Sequence, residues 1–297
     1  MKKLSLVNLL PALLLLFSST YFISCSKSQN SPGQNSEDST ALSISASADN
    51  EADIVYNDVA TNVMGVNADC GLGTGIGIFV AGSNNIAPWM PGWEHCFVAT
   101  IEPEAIGIFP KTVTLDFGDG CTGPDGHIRK GKIITVYTGP LYIAGSTATT
   151  TFDGFYFDTL HVEGTHIITN NSTVNNRIFT TTIQSGKITR PSGDYILWNR
   201  THVWTQTEGN STPYFPVDDV FSITGNSSGT TYVAGITIQW TTNITESLIH
   251  KFICPWVVSG QVQIETNNVK STLNFGSGAC DNKATLNVNG NIFEIIL

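Results

Sequence analysis

Tyr195-Ile196-Leu197-Trp198-Asn199-Arg200-Thr201-His202-Val203-Trp204-Thr205-Gln206-Thr207 is the stretch on which the fold class turns. Its pattern has a period of two. In an extended chain Ile196, Trp198, Arg200, His202, Trp204 and Gln206 share one face, and Tyr195, Leu197, Asn199, Thr201, Val203 and Thr205 share the other. β-Branched and aromatic residues dominate it, so it reads as a strand in a sheet.

Segments of the same kind recur from Cys96 to the C-terminus, rich in Thr, Val, Ile, Phe and Tyr and broken by Gly, Asn and Asp every 8 to 12 residues or so. About a dozen strands with no crossover helices between them exclude Rossmann and TIM architectures. The expected class is mainly all-β: a large antiparallel meander, either a sandwich or an incomplete barrel, with one N-terminal helix. That helix is expected from Glu51 to about Met64, because Asn50 is a plausible cap and Val55, Val59 and Val63 recur every four residues. Residues 48–297 are read as one domain. The alternating Gly71, Gly73, Gly75 and Gly77 fit no GxGxxG register, so a phosphate cradle has no support.

The chain has 297 residues, 41% hydrophobic and 13% charged, which places it among sequences that fold. Its formal charge is -10, so a basic nucleic-acid footprint is absent and no nucleic-acid partner is expected.

Residues 1–24 read as an export signal, with Lys2 and Lys3 before an apolar run from Leu4 to Phe17 that is too short to span a bilayer. Phe22-Ile23-Ser24-Cys25 follows, similar to a lipobox in which a small residue precedes an acylated Cys. Cys25 is therefore the expected lipid attachment site, which would anchor the protein to a membrane. Residues 25–47, rich in Ser, Asn and Gln, are expected to be a flexible tether.

Beyond Cys25 there are five cysteines, Cys70, Cys96, Cys121, Cys254 and Cys280. A shift of 158 positions superposes Cys96, Thr114, Leu115, Phe117, Gly118 and Gly120 on Cys254, Thr272, Leu273, Phe275, Gly276 and Gly278. One added residue, Ala279, then brings Cys121 and Gly131 onto Cys280 and Gly290. These coincidences point to an internal repeat, residues 96–139 and 254–297, with expected disulfides Cys96–Cys121 and Cys254–Cys280. The alternative is two pairs of unrelated buried thiols. Cys70 is left without a partner, and the absence of CxxC or HxxxH spacing argues against metal ligation.

Across Asp116-Phe117-Gly118-Asp119-Gly120-Cys121, Gly131-Lys132-Ile133-Ile134, Val162-Glu163-Gly164-Thr165, Asp218-Asp219, Ile223-Thr224-Gly225 and Cys254-Pro255-Trp256, the chain resembles uncharacterised lipoproteins of Bacteroidota. The resemblance covers most of residues 50–297. It implies an outer-membrane or cell-surface lipoprotein, facing either the periplasm or the exterior, and supplies no catalytic residue.

Candidate chemistry is sparse. Gly225-Asn226-Ser227-Ser228-Gly229 fits GxSxG, but a nucleophile elbow needs a helix after the serine and a Thr-rich strand follows, so a hairpin turn is expected. Asp119-Gly120 and Asp125-Gly126 lack the ligand alternation of a calcium loop and read as turns. Glu102 with Glu104 and Asp218 with Asp219 are carboxylate pairs of the type glycoside hydrolysis uses, read by default as solvated edges. His161 and His166 lie on opposite faces of one strand and make a poor metal pair. The candidate ligand face is Trp198, Arg200, His202 and Trp204, because indole rings beside hydrogen-bonding groups suit a sugar or an amphipathic cavity; the competing reading is a cross-strand ladder.

The function expected from these readings is a lipid-anchored envelope protein of non-enzymatic binding or structural type. It would need no cofactor and would bind a glycan, a lipid-like molecule or an envelope protein. The alternative is a glycan-active hydrolase using loop carboxylates.

Overall fold

The computed structural model describes residues 32–65, 97–105, 107–123, 125–212 and 216–297. The signal, Cys25, Cys70 and Cys96 lie outside the described residues. Among the described residues one α-helix, α1 (Pro32–Gly65), precedes fourteen strands, and a single 3-10 turn, Pro216–Asp218, lies between the eighth and ninth of them. They are β1 (Val98–Glu102), β2 (Lys111–Asp116), β3 (Cys121–Thr122), β4 (Ile128–Tyr137), β5 (Thr147–Phe157), β6 (Leu160–Asn170) and β7 (Ile178–Thr189). Then follow β8 (Tyr195–Glu208), β9 (Val220–Val233), β10 (Ile236–Lys251), β11 (Val257–Thr266), β12 (Val269–Ser277), β13 (Lys283–Val288) and β14 (Asn291–Ile296).

The strands form one antiparallel meander in chain order, with β3 alone off the path, paired to β4. It is an open sheet with β1 and β14 at its ends, and it does not close into a barrel. One outward row of cross-strand neighbours runs from Glu102 on β1 through Thr149, Thr182, Thr201, Asn226 and Gln263 to Ile292 on β14. Register is thus held across the whole sheet.

Bulges or register shifts interrupt eight successive pairings, from β4–β5 to β11–β12. Each bends its strand and increases local twist, so the sheet curls. Gly131 shows why the bends need glycine: its φ is 77°, and a Cβ there would run into the carbonyl oxygen of Gly154. The curled sheet wraps α1, which touches β5, β6 and every strand from β8 to β14. The core lies between them: Leu42, Ala46, Ala52, Val55, Val59 and Val63 of the helix meet inward residues such as Ile133, Ile168, Ile188, Val262 and Leu286.

The helix is longer than its expected span, Glu51 to about Met64. It starts at Pro32, so residues 32–47 of the expected tether are helical, and Ala41, Leu42, Ser45 and Ala46 are buried. The physical reason is tertiary. Ala favours the helical backbone and Ser does so weakly, but neither carries much apolar surface; both are small enough to bring the helix axis close to a curved sheet, whose contacts supply most of the stability.

The GxSxG stretch differs as well: Gly225 to Gly229 lies inside β9 rather than at a hairpin turn. Its inward residues, Gly225, Ser227 and Gly229, add no bulk beneath the helix. The two stretches read as a repeat share a local geometry near opposite ends of the sheet. The Asp116 Oδ1 accepts from the Gly118 N–H at 2.9 Å, and Asn274 Oδ1 accepts from the Gly276 N–H at 2.8 Å. They differ beyond that turn, since β2 pairs directly with β4 whereas β13 lies between β12 and β14. Cys254 and Cys280 form a disulfide with a Cα–Cα distance of 5.7 Å. Cys121 is also disulfide-bonded; its expected partner, Cys96, is outside the described residues.

Candidate functional site

The inward face of β8 is where the sequence placed a ligand, and the structure places α1 there instead. Trp198 is 1% exposed, and its ring stacks on Tyr56 at 5.7 Å between centroids. Trp198 and Trp240 flank Gly229 as cross-strand neighbours, and a Cβ on Gly229 would strike the Trp240 ring. Both indole N–H groups donate to Asp49 Oδ1, at 2.7 and 3.1 Å, and the Ser227 hydroxyl donates to the same oxygen. Burial pushes the Asp49 carboxyl above its ordinary value, with the bonds from Ser227, Trp198 and Trp240 pulling against it.

Arg200 pairs with Asp53 and donates to Asn57 Oδ1 at 2.9 Å, while Trp204 packs edge-on against Phe221 and His250. Burial opposes ionisation of Asp53, but the Arg200 guanidinium beside it holds the carboxyl below its ordinary value. His202 is buried, with Nδ1 3.9 Å from Asp53, and desolvation pushes it down to about 3. The ligand reading gives way to a structural one for Trp198, Arg200 and His202, because the protein's own helix supplies the partners a ligand would have used; Trp204 packs on Phe221 and His250 of the sheet instead, and its indole N–H has no hydrogen-bond partner among the described residues. Further along α1, Asp58 and Asp125 both pair with Arg129 and raise the stability of its charged form.

The other sequence candidates are dispersed. Glu102 and Glu104 are exposed near the edge strand β1. Asp218 is exposed and accepts from Thr212, whereas Asp219 is 2% exposed and takes a 2.6 Å hydrogen bond from Gln206. Burial pushes Asp219 up to about 6, a value suited to a general acid, but its side chain is closed off from a substrate. Ser227, the would-be nucleophile, is buried and bonded to Asp49 and to Thr242 at 2.6 Å, with no histidine among its described partners. Asp125 serves Arg129 and His127, and no group of three or more His, Cys, Asp or Glu side chains among the described residues is placed to hold a metal. His166 is buried and His161 is part-exposed, as the strand alternation requires.

A groove of about 560 Å³ lies on the opposite, outward side of β8–β11. Two cross-strand rows build its floor: Leu197, Thr230 and Gln239 in one, and Asn199, Ser228, Thr241 and Glu265 in the other. Asn267 and Asn268, both at positive φ in the β11–β12 turn, close one end. The floor offers amides and hydroxyls, which both donate and accept. Among the described residues Glu265 is the only ionisable group lining it, and Lys270 lies 3.6 Å away across the β11–β12 pair.

No protein-family model, curated protein or solved structure matches the chain. The groove must be read from its chemistry alone. Sequence reasoning passed over it because alternation was used to find aromatic and charged residues. The available signal was on the complementary face, where Asn199 and Thr201 on β8 align with the Asn, Ser, Thr and Gln residues of β9 and β10.

Proposed function

We propose that the chain is a lipid-anchored envelope protein of non-enzymatic binding type, and that it holds a glycan in the outward groove of β8–β11. The signal-like residues 1–24 and the lipobox-like stretch ending at Cys25 support the anchor and an outer-membrane location. The observation that carries the binding reading is the groove floor, whose amides and hydroxyls match the hydroxyl rim of a sugar and would desolvate poorly under a lipid chain. The interior is taken by α1, so the outer face is the accessible one. A binding role also fits the placement of carboxylates: the described residues that line the groove include one, and glycoside hydrolysis in its usual form needs two flanking the bond.

Two measurements test it. The wild-type protein should fractionate with membranes and Cys25→Ala with the soluble fraction; a membrane-bound variant removes the anchor. Binding to immobilised envelope glycans should be lost in the Asn199→Ala/Gln239→Ala double variant. Chromatographic appearance of shortened glycans on incubation with wild type would replace binding by hydrolysis.

A further inference from the structure

The outward rows that floor the groove continue into two aromatic rings. Tyr195 and Tyr232 are cross-strand partners on β8 and β9, with ring centroids 5.5 Å apart and planes 15° from parallel. On β8 the same face runs Tyr195, Leu197, Asn199; on β9 it runs Tyr232, Thr230, Ser228. Both tyrosines are part-exposed, and Leu197 beside them is 43% exposed. Thus an apolar surface of two phenol rings and a leucine passes directly into a floor of amides and hydroxyls, with Glu265 at its β11 side.

We propose that Tyr195, Tyr232 and Leu197 form the apolar end of the groove, and that its ligand is an uncharged linear oligosaccharide lying along β8 and β9. This rests on the reading of the groove as a glycan site and extends it to a ligand class and a direction. A pyranose ring has an apolar C–H face and a polar rim, so it needs a flat apolar surface next to hydrogen-bonding groups. Leu197 and the tyrosine pair, whose rings stack on each other, supply the apolar surface, and Asn199, Ser228, Thr230, Gln239 and Thr241 supply the hydrogen-bonding groups. Four residues separate the Tyr195–Tyr232 row from the Asn199–Ser228 row, about 13 Å along the strands and enough for two to three sugar rings. Charge sets the class. Glu265 is balanced by Lys270, no Lys or Arg is among the described residues that line the groove, and the net charge of -10 repels polyanions.

The test is calorimetric titration of the full mature chain in detergent with glucose, xylose and mannose oligomers of one to six units, and with oligogalacturonates as the anionic comparison. In at least one neutral series affinity should rise with length and level off near two or three units. Tyr195→Ala and Tyr232→Ala should each weaken it by about tenfold, while Tyr195→Phe and Tyr232→Phe keep it. Saturation transfer from tyrosine ring protons to the sugar, measured on wild type, serves if an alanine variant fails to fold. Tyrosine variants that bind like wild type, beside an Asn199→Ala/Gln239→Ala variant that does not, would overturn the aromatic subsite and leave the groove reading standing. Wild type that binds no oligomer overturns both, and tighter binding of oligogalacturonates overturns the uncharged class.

Discussion

Asp53 sits between Arg200, whose side chain is fully buried, and His202, with Asn57 one turn further along the helix. Asp53→Ala leaves the Arg200 guanidinium buried without its carboxylate. It should therefore cost about 3–5 kcal/mol, read from urea unfolding. The histidines beneath the helix set the response to acid. Burial pushes His166 and His202 down to about 3 and His250 to about 4, against an unfolded value of 6.5. Each takes up a proton on unfolding below pH 6.5, so its contribution is complete above that value and is lost as pH falls toward 4. Asp219, raised to about 6, and Asp49 and Asp58, both also raised by burial, act in the opposite sense, since the folded state keeps protons there that the unfolded chain has released. Three sites are thus set against three in the window between pH 6 and 4. The sharper expectation is a difference: His166→Phe should reduce the slope of unfolding free energy with pH in that window by about 1.4 kcal/mol per unit. An unchanged slope would mean that His166 is protonated in the fold.

At the scale of elements, the helix and the bulges are one construction. A bulge between β6 and β7 breaks their ladder near Gly164, and the Tyr56 hydroxyl fills the break, donating to the Glu163 carbonyl at 2.6 Å and accepting from the Lys187 N–H at 3.1 Å. Tyr56→Phe keeps the stack on Trp198 but strands both backbone groups, for an expected loss of about 2 kcal/mol. Faster hydrogen exchange at the Lys187 amide would locate the damage. The strands were legible because alternation is a local signal, and β8 was read residue for residue from Tyr195 onward. The first half of α1 was not. Ser45, Ala46 and Ala48 carry almost no hydrophobic signal of their own, and only the curved sheet makes small side chains an advantage. The GxSxG stretch misled for a related reason: Gly225, Ser227 and Gly229 look like turn residues but are small because Trp198, Trp240 and the helix occupy the space above them.

For the whole molecule, one helix does the work that a second sheet does in a sandwich, giving an open meander something to close upon. This arrangement also decides which half of the site reading held. Alternation correctly divided β8 into two faces, but which face meets solvent depends on what packs against it, and the covering element comes some 150 residues earlier in the chain. Aromatic and charged residues therefore went inward with the helix, and the amide and hydroxyl face was left outside. The dependence can be measured directly. A chain beginning at residue 66 exposes Trp198, Trp240 and Ile188 and deprives Arg129 and Arg200 of Asp58 and Asp53. It should show no cooperative thermal transition and should bind a hydrophobic dye. A synthetic peptide of residues 32–65 added in trans should restore the transition, with a midpoint that rises with peptide concentration. A cooperative transition without the peptide would show that the sheet holds its curl through its bulges alone, and that the buried ion pairs to α1 are incidental to the fold.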